Sequence, residues 1–187
     1  ADLFRLLAGR FDIRRALYPG SFVHVTPSFF FPVVVYVDTD RRCPAFFADR
    51  AVRTMVRRRR RYPGEPDIVF RHADYSGRLG EKPRSFDLLI SQWAGPVGQR
   101  CRRFLKPGGL LLANDSHGDA GLAKLDPAYE LVGVIDALGS RYRLSGSDLE
   151  GYFVPRSGRR LTRRQLLESG RGERYERSAA MYLFRRR

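Results

Sequence analysis

Short apolar runs alternate with helical stripes along most of this chain. The runs at 16–18, 33–38, 68–70, 86–90 and 110–113 have the length and apolar character of buried strands. Apolar residues recur at helical spacing in 2–15, in 47–56 before the arginine run 57–61, and in 97–105. Strands that alternate with helices predict an α/β fold with a doubly wound, mostly parallel sheet.

The last third of the chain has a different pattern. Residues 130–135 and 142–144 are candidate strands, and Thr162 is placed to cap a helix that runs through Leu167. The final apolar run, 179–184, has no room for a crossover after it and is expected to pair antiparallel. With 187 residues and 43% apolar composition, the chain fits one domain, an N-terminal helix at 1–15 followed by a core at 16–187.

The segment 16–38 predicts a ligand site. It reads as a strand, a tight turn at Gly20, a short crossover and a second strand that ends on Asp38. A glycine lets backbone N–H groups approach a ligand, and an acidic residue about twenty positions later can accept hydrogen bonds from two ribose hydroxyls. An ordinary buried βαβ unit with a turn glycine and a capping aspartate would give the same pattern.

The high positive charge and the two cysteines do not by themselves select one class of function. The formal charge of +15 is typical of proteins that bind nucleic acid, but only three of the 35 basic residues are lysines, a skew that coding bias also produces. Cys43 and Cys101 have no metal-site spacing. No run is long enough to span a membrane, and the first residues lack the layout of a signal peptide, so we expect no membrane partner and a cytoplasmic location.

Five local motifs follow the predicted strands: the loop 17–21 after the first strand, Asp38 after the second, Asp74 after the third, the strand 86–91, and the sequence Leu-Lys-Pro-Gly-Gly at 105–109. Together they resemble the motifs of class I S-adenosylmethionine-dependent methyltransferases, and the resemblance covers nearly the whole chain. The resemblance implies a Rossmann-like, seven-stranded sheet with an antiparallel last strand, and S-adenosylmethionine as cofactor. The first loop departs from the family pattern, which is acidic and richer in glycine.

The resemblance also implies roles for individual residues. Those expected to bind the cofactor are Tyr18, Pro19, Gly20, Ser21, Asp38, Thr39, Asp74, Tyr75, Ser91 and Gln92. Among them Asp38 would hold the ribose, Asp74 and Tyr75 would flank the adenine, and Ser91 and Gln92 would lie near the sulfonium.

Polar residues concentrate at 114–119, directly after the fifth predicted strand. Open α/β sheets bind ligands at this edge, so we expect Asp115 or His117 to act as the base for an acceptor that carries a proton. Residues expected to contact the acceptor are Trp93, Asn114, Ser116 and Asp119. A magnesium-assisted variant is less favoured, because Ser91 and Gln92 stand where a partner carboxylate is expected, and no metal is predicted. A loop whose side chains only cap the next helix is the alternative without function.

The sequence therefore predicts a methyltransferase whose acceptor, a small molecule or RNA, is unidentified. Two other classes stay open. A non-catalytic nucleic-acid-binding protein on a degenerate Rossmann-like fold would depend on the arginine patches. An NAD-dependent oxidoreductase would share Asp38 but would need a fuller glycine-rich turn than 18–22 provides.

Overall fold

The computed structural model describes residues 2–187, which form one eight-stranded sheet with helices on both faces. The strands are β1 (Arg15–Pro19), β2 (Val33–Asp38), β3 (Asp67–His72), β4 (Phe86–Ser91), β5 (Leu105–Ala113), β6 (Tyr129–Leu138), β7 (Arg141–Ser145) and β8 (Met181–Arg186). The helices are α1 (Asp2–Ala8), α2 (Cys43–Ala48), α3 (Arg50–Arg59), α4 (Val97–Arg100), α5 (Asp119–Lys124) and α6 (Arg163–Ser169), with 3₁₀ turns at Thr26–Phe29, Arg102–Phe104 and Leu149–Gly151. Among the described residues no helix is long and apolar enough to cross a membrane.

The strand order is β3-β2-β1-β4-β5-β8-β6-β7. Strands β1 to β5 pair in parallel, and β8 lies antiparallel between β5 and β6. The predicted parallel sheet with an antiparallel last strand is confirmed. The sheet has eight strands rather than the expected seven, because β7 folds back on β6 across a tight turn and forms an edge strand.

Side chains alternate across the sheet and bury two separate cores. Ala16 and Tyr18 of β1 face the side that α1, α2 and α3 cover, whereas Leu17 faces the side that α4 and α5 cover. This follows from the two-residue period of a strand. Both faces of the central strands are apolar, as expected of parallel strands packed between helices.

Two predicted helices end or break earlier than their apolar stripes. Helix α1 stops at Ala8, before Gly9, rather than at residue 15. The stripe at 47–61 is divided between α2 and α3, because Asp49 is extended (φ −65°, ψ 126°) and its carboxylate accepts a hydrogen bond from the Ala51 N–H. An aspartate in this position begins a new helix.

The predicted helix at 97–105 is also shorter. Helix α4 ends at Arg100, a 3₁₀ turn follows, and β5 begins at Leu105. Leu105 pairs with Phe86, and the register then shifts before Leu110 pairs with Leu88. The stretch 106–109, part of the motif at 105–109, therefore lies in the irregular first half of a strand.

Candidate active site

The loops after β1, β2, β3 and β4 surround a cavity of about 590 Å³, which we call the β1–β4 cavity. Its lining includes five residues predicted to bind the cofactor, together with Trp93. These five are Gly20, Asp38, Thr39, Asp74 and Tyr75. The cavity lies at the carboxyl ends of the strands, where the change of direction between β1 and β4 opens the sheet edge.

Asp38 closes β2 with its carboxylate held by the backbone. The Phe22 N–H donates to Oδ2 at 2.7 Å, and the Asp40 N–H donates to Oδ1 at 2.8 Å. Each carboxylate oxygen accepts more than one hydrogen bond. Both oxygens therefore keep acceptor capacity for a ligand while the backbone fixes their position.

The loop after β1 is pressed against the loop after β4. Gly20 has φ +64°, and a Cβ there would lie 2.2 Å from the Cβ of Ala94. Only glycine satisfies both the conformation and the contact. Two positions later, Phe22 has φ +45°, a conformation that favours glycine, and its ring lies 4.5 Å from the Arg42 guanidinium carbon. Phe22 thus adds a bulky side chain to a loop that the resemblance expects to be richer in glycine.

The far wall of the cavity comes from the loop after β3. Asp74 accepts hydrogen bonds from the Ser76 backbone N–H and hydroxyl, both at 2.8 Å, and these bonds lower the pKa of its carboxyl. The Tyr75 hydroxyl donates to the Ala94 carbonyl oxygen, and burial raises its pKa to about 12. Tyr75 therefore ties the loop after β3 to the loop after β4.

Five residues predicted to bind the cofactor are buried and line neither this cavity nor the next one: Tyr18, Pro19, Ser21, Ser91 and Gln92. The Tyr18 hydroxyl donates to Gln92 Oε1 at 3.0 Å and lies 3.0 Å from His24 Nδ1. Burial raises the pKa of Tyr18 and lowers that of His24. Tyr18, Gln92 and His24 therefore form a hydrogen-bonded network behind the loop.

A second cavity, of about 630 Å³, lies beside the first at the end of β5, and we call it the β5 cavity. Asn114, Asp115, Ser116 and His117 line one side of it, and the segment from Gly170 to Tyr182 lines the other. Trp93 lines both cavities.

Asp115, which is half-buried, and Tyr175, which is buried, are two titratable groups of the β5 cavity. Asp115 accepts a hydrogen bond at Oδ1 from the Gly121 N–H at 2.8 Å. Its Oδ2 and the Tyr175 hydroxyl are both buried, and neither has a hydrogen-bond partner of good geometry among residues 2–187. Burial raises the pKa of Asp115 to about 6 and also raises that of Tyr175. A carboxylate with a pKa in this range is an effective base at neutral pH.

Trp93 separates the cavities in an unusual conformation. It is 69% exposed and has φ +55°. Its backbone N–H donates to Asn114 Oδ1 at 3.5 Å, and the same oxygen accepts from the Ser116 hydroxyl at 3.0 Å. Asn114 thus links the loop after β4 to the loop after β5. A left-handed backbone at a bulky residue is strained, and such strain is found more often in functional loops than elsewhere.

His117 and Asp119, both predicted to lie in the site, differ in exposure to solvent. His117 is exposed, with Nδ1 3.4 Å from the Gly170 carbonyl oxygen. Asp119, expected to contact the acceptor, is buried and accepts hydrogen bonds from the Gly98 N–H at 2.9 and 3.1 Å. Since Asp119 opens α5, its side chain turns inward to α4 instead of lining either cavity. Burial raises its pKa to about 6.

Several lining residues were missing from the sequence prediction. In the β1–β4 cavity they are Phe22, Ala73, Ser76, Ala94, Pro96 and Arg100, and in the β5 cavity the titratable ones are Arg171, Glu173, Tyr175 and Tyr182. Phe22, Ser76 and Ala94 each lie within two positions of a predicted residue, so the loop context was a usable signal. Tyr175 had no local signal, because it reaches the cavity from a distant segment. Residues 2–187 contain no group of three or more His, Cys, Asp or Glu side chains that could hold a metal ion.

Comparison with solved structures identifies the fold. The YcgJ protein of Bacillus subtilis matches 98% of this chain with 97% of its own, at 14% identity and a TM-score of 0.51. A Klebsiella pneumoniae protein provisionally named an O-methyltransferase matches over 76% of both chains, also at 14% identity and a TM-score of 0.51. The chain has the class I methyltransferase fold.

Within this fold the neighbours differ in length. The methyltransferase CalH, solved in a complex with S-adenosylhomocysteine, matches 61% of this chain at 21% identity and a TM-score of 0.42. The chain spans between 35% and 55% of the length of CalH and two other matched structures. No protein-family model and no curated protein sequence matches the chain.

Proposed function

We propose that this protein transfers a methyl group from S-adenosylmethionine to an acceptor bound in the β5 cavity. The observation that carries the proposal is the shared wall at Trp93. A cavity that ends at the Asp38 carboxylate and a cavity that contains the Asp115 carboxylate meet there, at one edge of a class I methyltransferase fold.

The β1–β4 cavity fits the nucleoside part of this cofactor. Its volume of about 590 Å³ is within the range of small-molecule sites. Asp38 keeps acceptor capacity for two ribose hydroxyls, and the segment 73–76 offers a wall for the adenine. Because Ala94 covers Gly20, the methionine arm would leave this cavity beside Trp93 rather than over Gly20.

When bound, the cofactor supplies an electrophilic methyl group on its sulfonium. The protein's own residues position the acceptor and remove its proton. Asp115 is the proposed base, since burial raises its pKa to about 6 and the Gly121 N–H is its one hydrogen-bond donor of good geometry among residues 2–187. His117, at the exposed rim of the same cavity, is placed to pass the proton to solvent.

Calorimetry tests the proposal directly. The wild-type protein is titrated with S-adenosylmethionine, S-adenosylhomocysteine and NAD, and the titrations are repeated with Asp38→Asn. We expect heat with both adenosyl compounds and a loss of affinity of about 10- to 100-fold in the variant, the value of about 1.5–3 kcal/mol for hydrogen bonds to a charged group.

Asp136→Asn, a change on β6, serves as the control and should bind like the wild type. Heat with neither adenosyl compound would refute the proposal. Heat with NAD alone would favour an oxidoreductase.

A further inference from the structure

A third cavity, of about 410 Å³, lies next to the β5 cavity. It is bounded by the segment 157–161 and by α6. Arg159, Arg160 and Arg171 line it, and we call it the arginine groove. The two cavities share Arg171, Gly172 and Glu173. The groove and the β5 cavity therefore lie side by side and meet at residues 171–173.

The three guanidinium groups of the groove have no salt-bridge partner in the part of the chain that the structure describes. Neighbouring arginines are paired: Arg164 contacts Glu168 at 2.7 Å, and Arg163 contacts Asp126 at 3.7 Å. Like charges that are gathered without salt-bridge partners repel each other, so an anion bound among them would relieve this repulsion.

One carboxylate opposes these arginines. Glu173 lies where the groove meets the β5 cavity, and its Oε1 accepts a hydrogen bond from the Arg174 N–H at 2.7 Å. Three positive side chains thus face one negative side chain in the groove, and its positive charge predominates.

The backbone holds the groove in place against the proposed base. A Cβ at Gly172 would lie 1.8 Å from the Asp115 carbonyl oxygen, and a Cβ at Gly118 would lie 2.9 Å from the Arg171 carbonyl oxygen. Between Arg160 and Arg171, α6 starts with a capping box in which Thr162 and Gln165 satisfy each other's backbone N–H groups. The groove is thus tied to the loop that carries Asp115.

We propose that the acceptor carries a phosphate group and that the arginine groove binds it, with the reacting end of the acceptor at Asp115. Guanidinium groups bind phosphate with paired, charge-assisted hydrogen bonds, which neither the serines nor the single carboxylate of the groove can replace. This inference rests on the proposed function for the identity of the reacting end, but phosphate binding by the groove can be measured without turnover.

The test compares two triple variants that lose the same charge. The groove variant carries Arg159→Gln, Arg160→Gln and Arg171→Gln. The control carries Arg53→Gln, Arg58→Gln and Arg61→Gln, exposed positions in or just after α3. Inorganic pyrophosphate is titrated by calorimetry, and a fluorescein-labelled 12-nucleotide single-stranded RNA is titrated by fluorescence anisotropy.

We expect the groove variant to bind at least one probe 10-fold more weakly than the wild type, and the control to stay within twofold. Binding of pyrophosphate indicates a small phosphorylated acceptor. Binding of RNA alone, with a salt slope lowered by about two in the groove variant, indicates a nucleic-acid strand. An equal loss in both variants, or no binding of either probe by the wild type, overturns the proposal.

A parallel titration with S-adenosylhomocysteine separates the two proposals. The groove variant should bind this compound like the wild type, because no groove arginine lines the β1–β4 cavity. Phosphate binding without any affinity for S-adenosylhomocysteine would refute the methyltransferase and leave the groove standing.

Discussion

Replacing Asp115 with asparagine should make the protein more stable at neutral pH. Burial raises the carboxyl pKa from 3.8 to about 6, a difference of about two units or about 3 kcal/mol. Because the folded-state pKa is the higher one, the stability that Asp115 contributes is fully present below about pH 4 and is lost as the pH rises through 6. Asparagine does not ionise and escapes this loss.

Urea denaturation of both proteins between pH 4 and 7 measures the effect. The variant and the wild type should be nearly equal at pH 4, and the variant should gain up to about 3 kcal/mol by pH 7. Asp12→Asn, at an exposed site, should shift stability by less than about 0.5 kcal/mol at every pH. A stability difference for Asp115→Asn that does not change with pH would refute the assignment of a buried carboxyl with a raised pKa at this position.

The same carboxyl sets the predicted pH dependence of methyl transfer. A base with a pKa of about 6 is about 90% ionised at pH 7 and about 10% ionised at pH 5, so the rate with the true acceptor should fall about ninefold between these values. Asp115→Asn should be slow at both pH values. A wild-type rate that is flat across this range would remove Asp115 from the role of base.

The remaining predictions concern the loops after β1 and β4. Gly20→Ala should lower the free energy of unfolding by at least about 1 kcal/mol, because the new Cβ would lie 2.2 Å from Ala94. Ala94→Gly should restore part of this loss in the double variant, and denaturant titration would show no recovery if the contact were unimportant. Trp93→Gly should raise stability by about 1 kcal/mol by relieving the left-handed backbone, while weakening S-adenosylhomocysteine binding in calorimetry. A loss of stability in Trp93→Gly would mean that packing of the indole stabilises the protein by more than the left-handed backbone destabilises it.

The parts of the fold that sequence predicted best depend on local patterns. Strand β2 is a continuous apolar run up to Asp38, β4 contains the apolar run 88–90, and Thr162 is an N-cap with its Gln165 partner three residues later. Their structure follows from burial and capping within a few residues. The break at Asp49 and the strand start at Leu105 depend instead on competition between neighbouring elements, which a helical stripe does not reveal.

The candidate site divides in the same way. Asp38 was predictable, because its place at the end of β2 fixes it at the sheet edge. Asp119 was misplaced, since the direction of a side chain depends on how α5 begins, and Tyr175 was missed, since it reaches Asp115 from a segment 60 positions away. Roles for Asp115, His117 and the cofactor residues stay predictions that binding and rate measurements will test.

The added edge strand has a consequence for behaviour in concentrated solution. An open sheet ends in two strands with unpaired backbone groups, and long apolar edges recruit other chains into aggregates. Here β7 carries Arg141 and Arg143 on one edge, and β3 carries Asp67 and Arg71 on the other. Charged edges of five and six residues make strand addition between molecules unfavourable, so the fold carries its own protection against amyloid-like association.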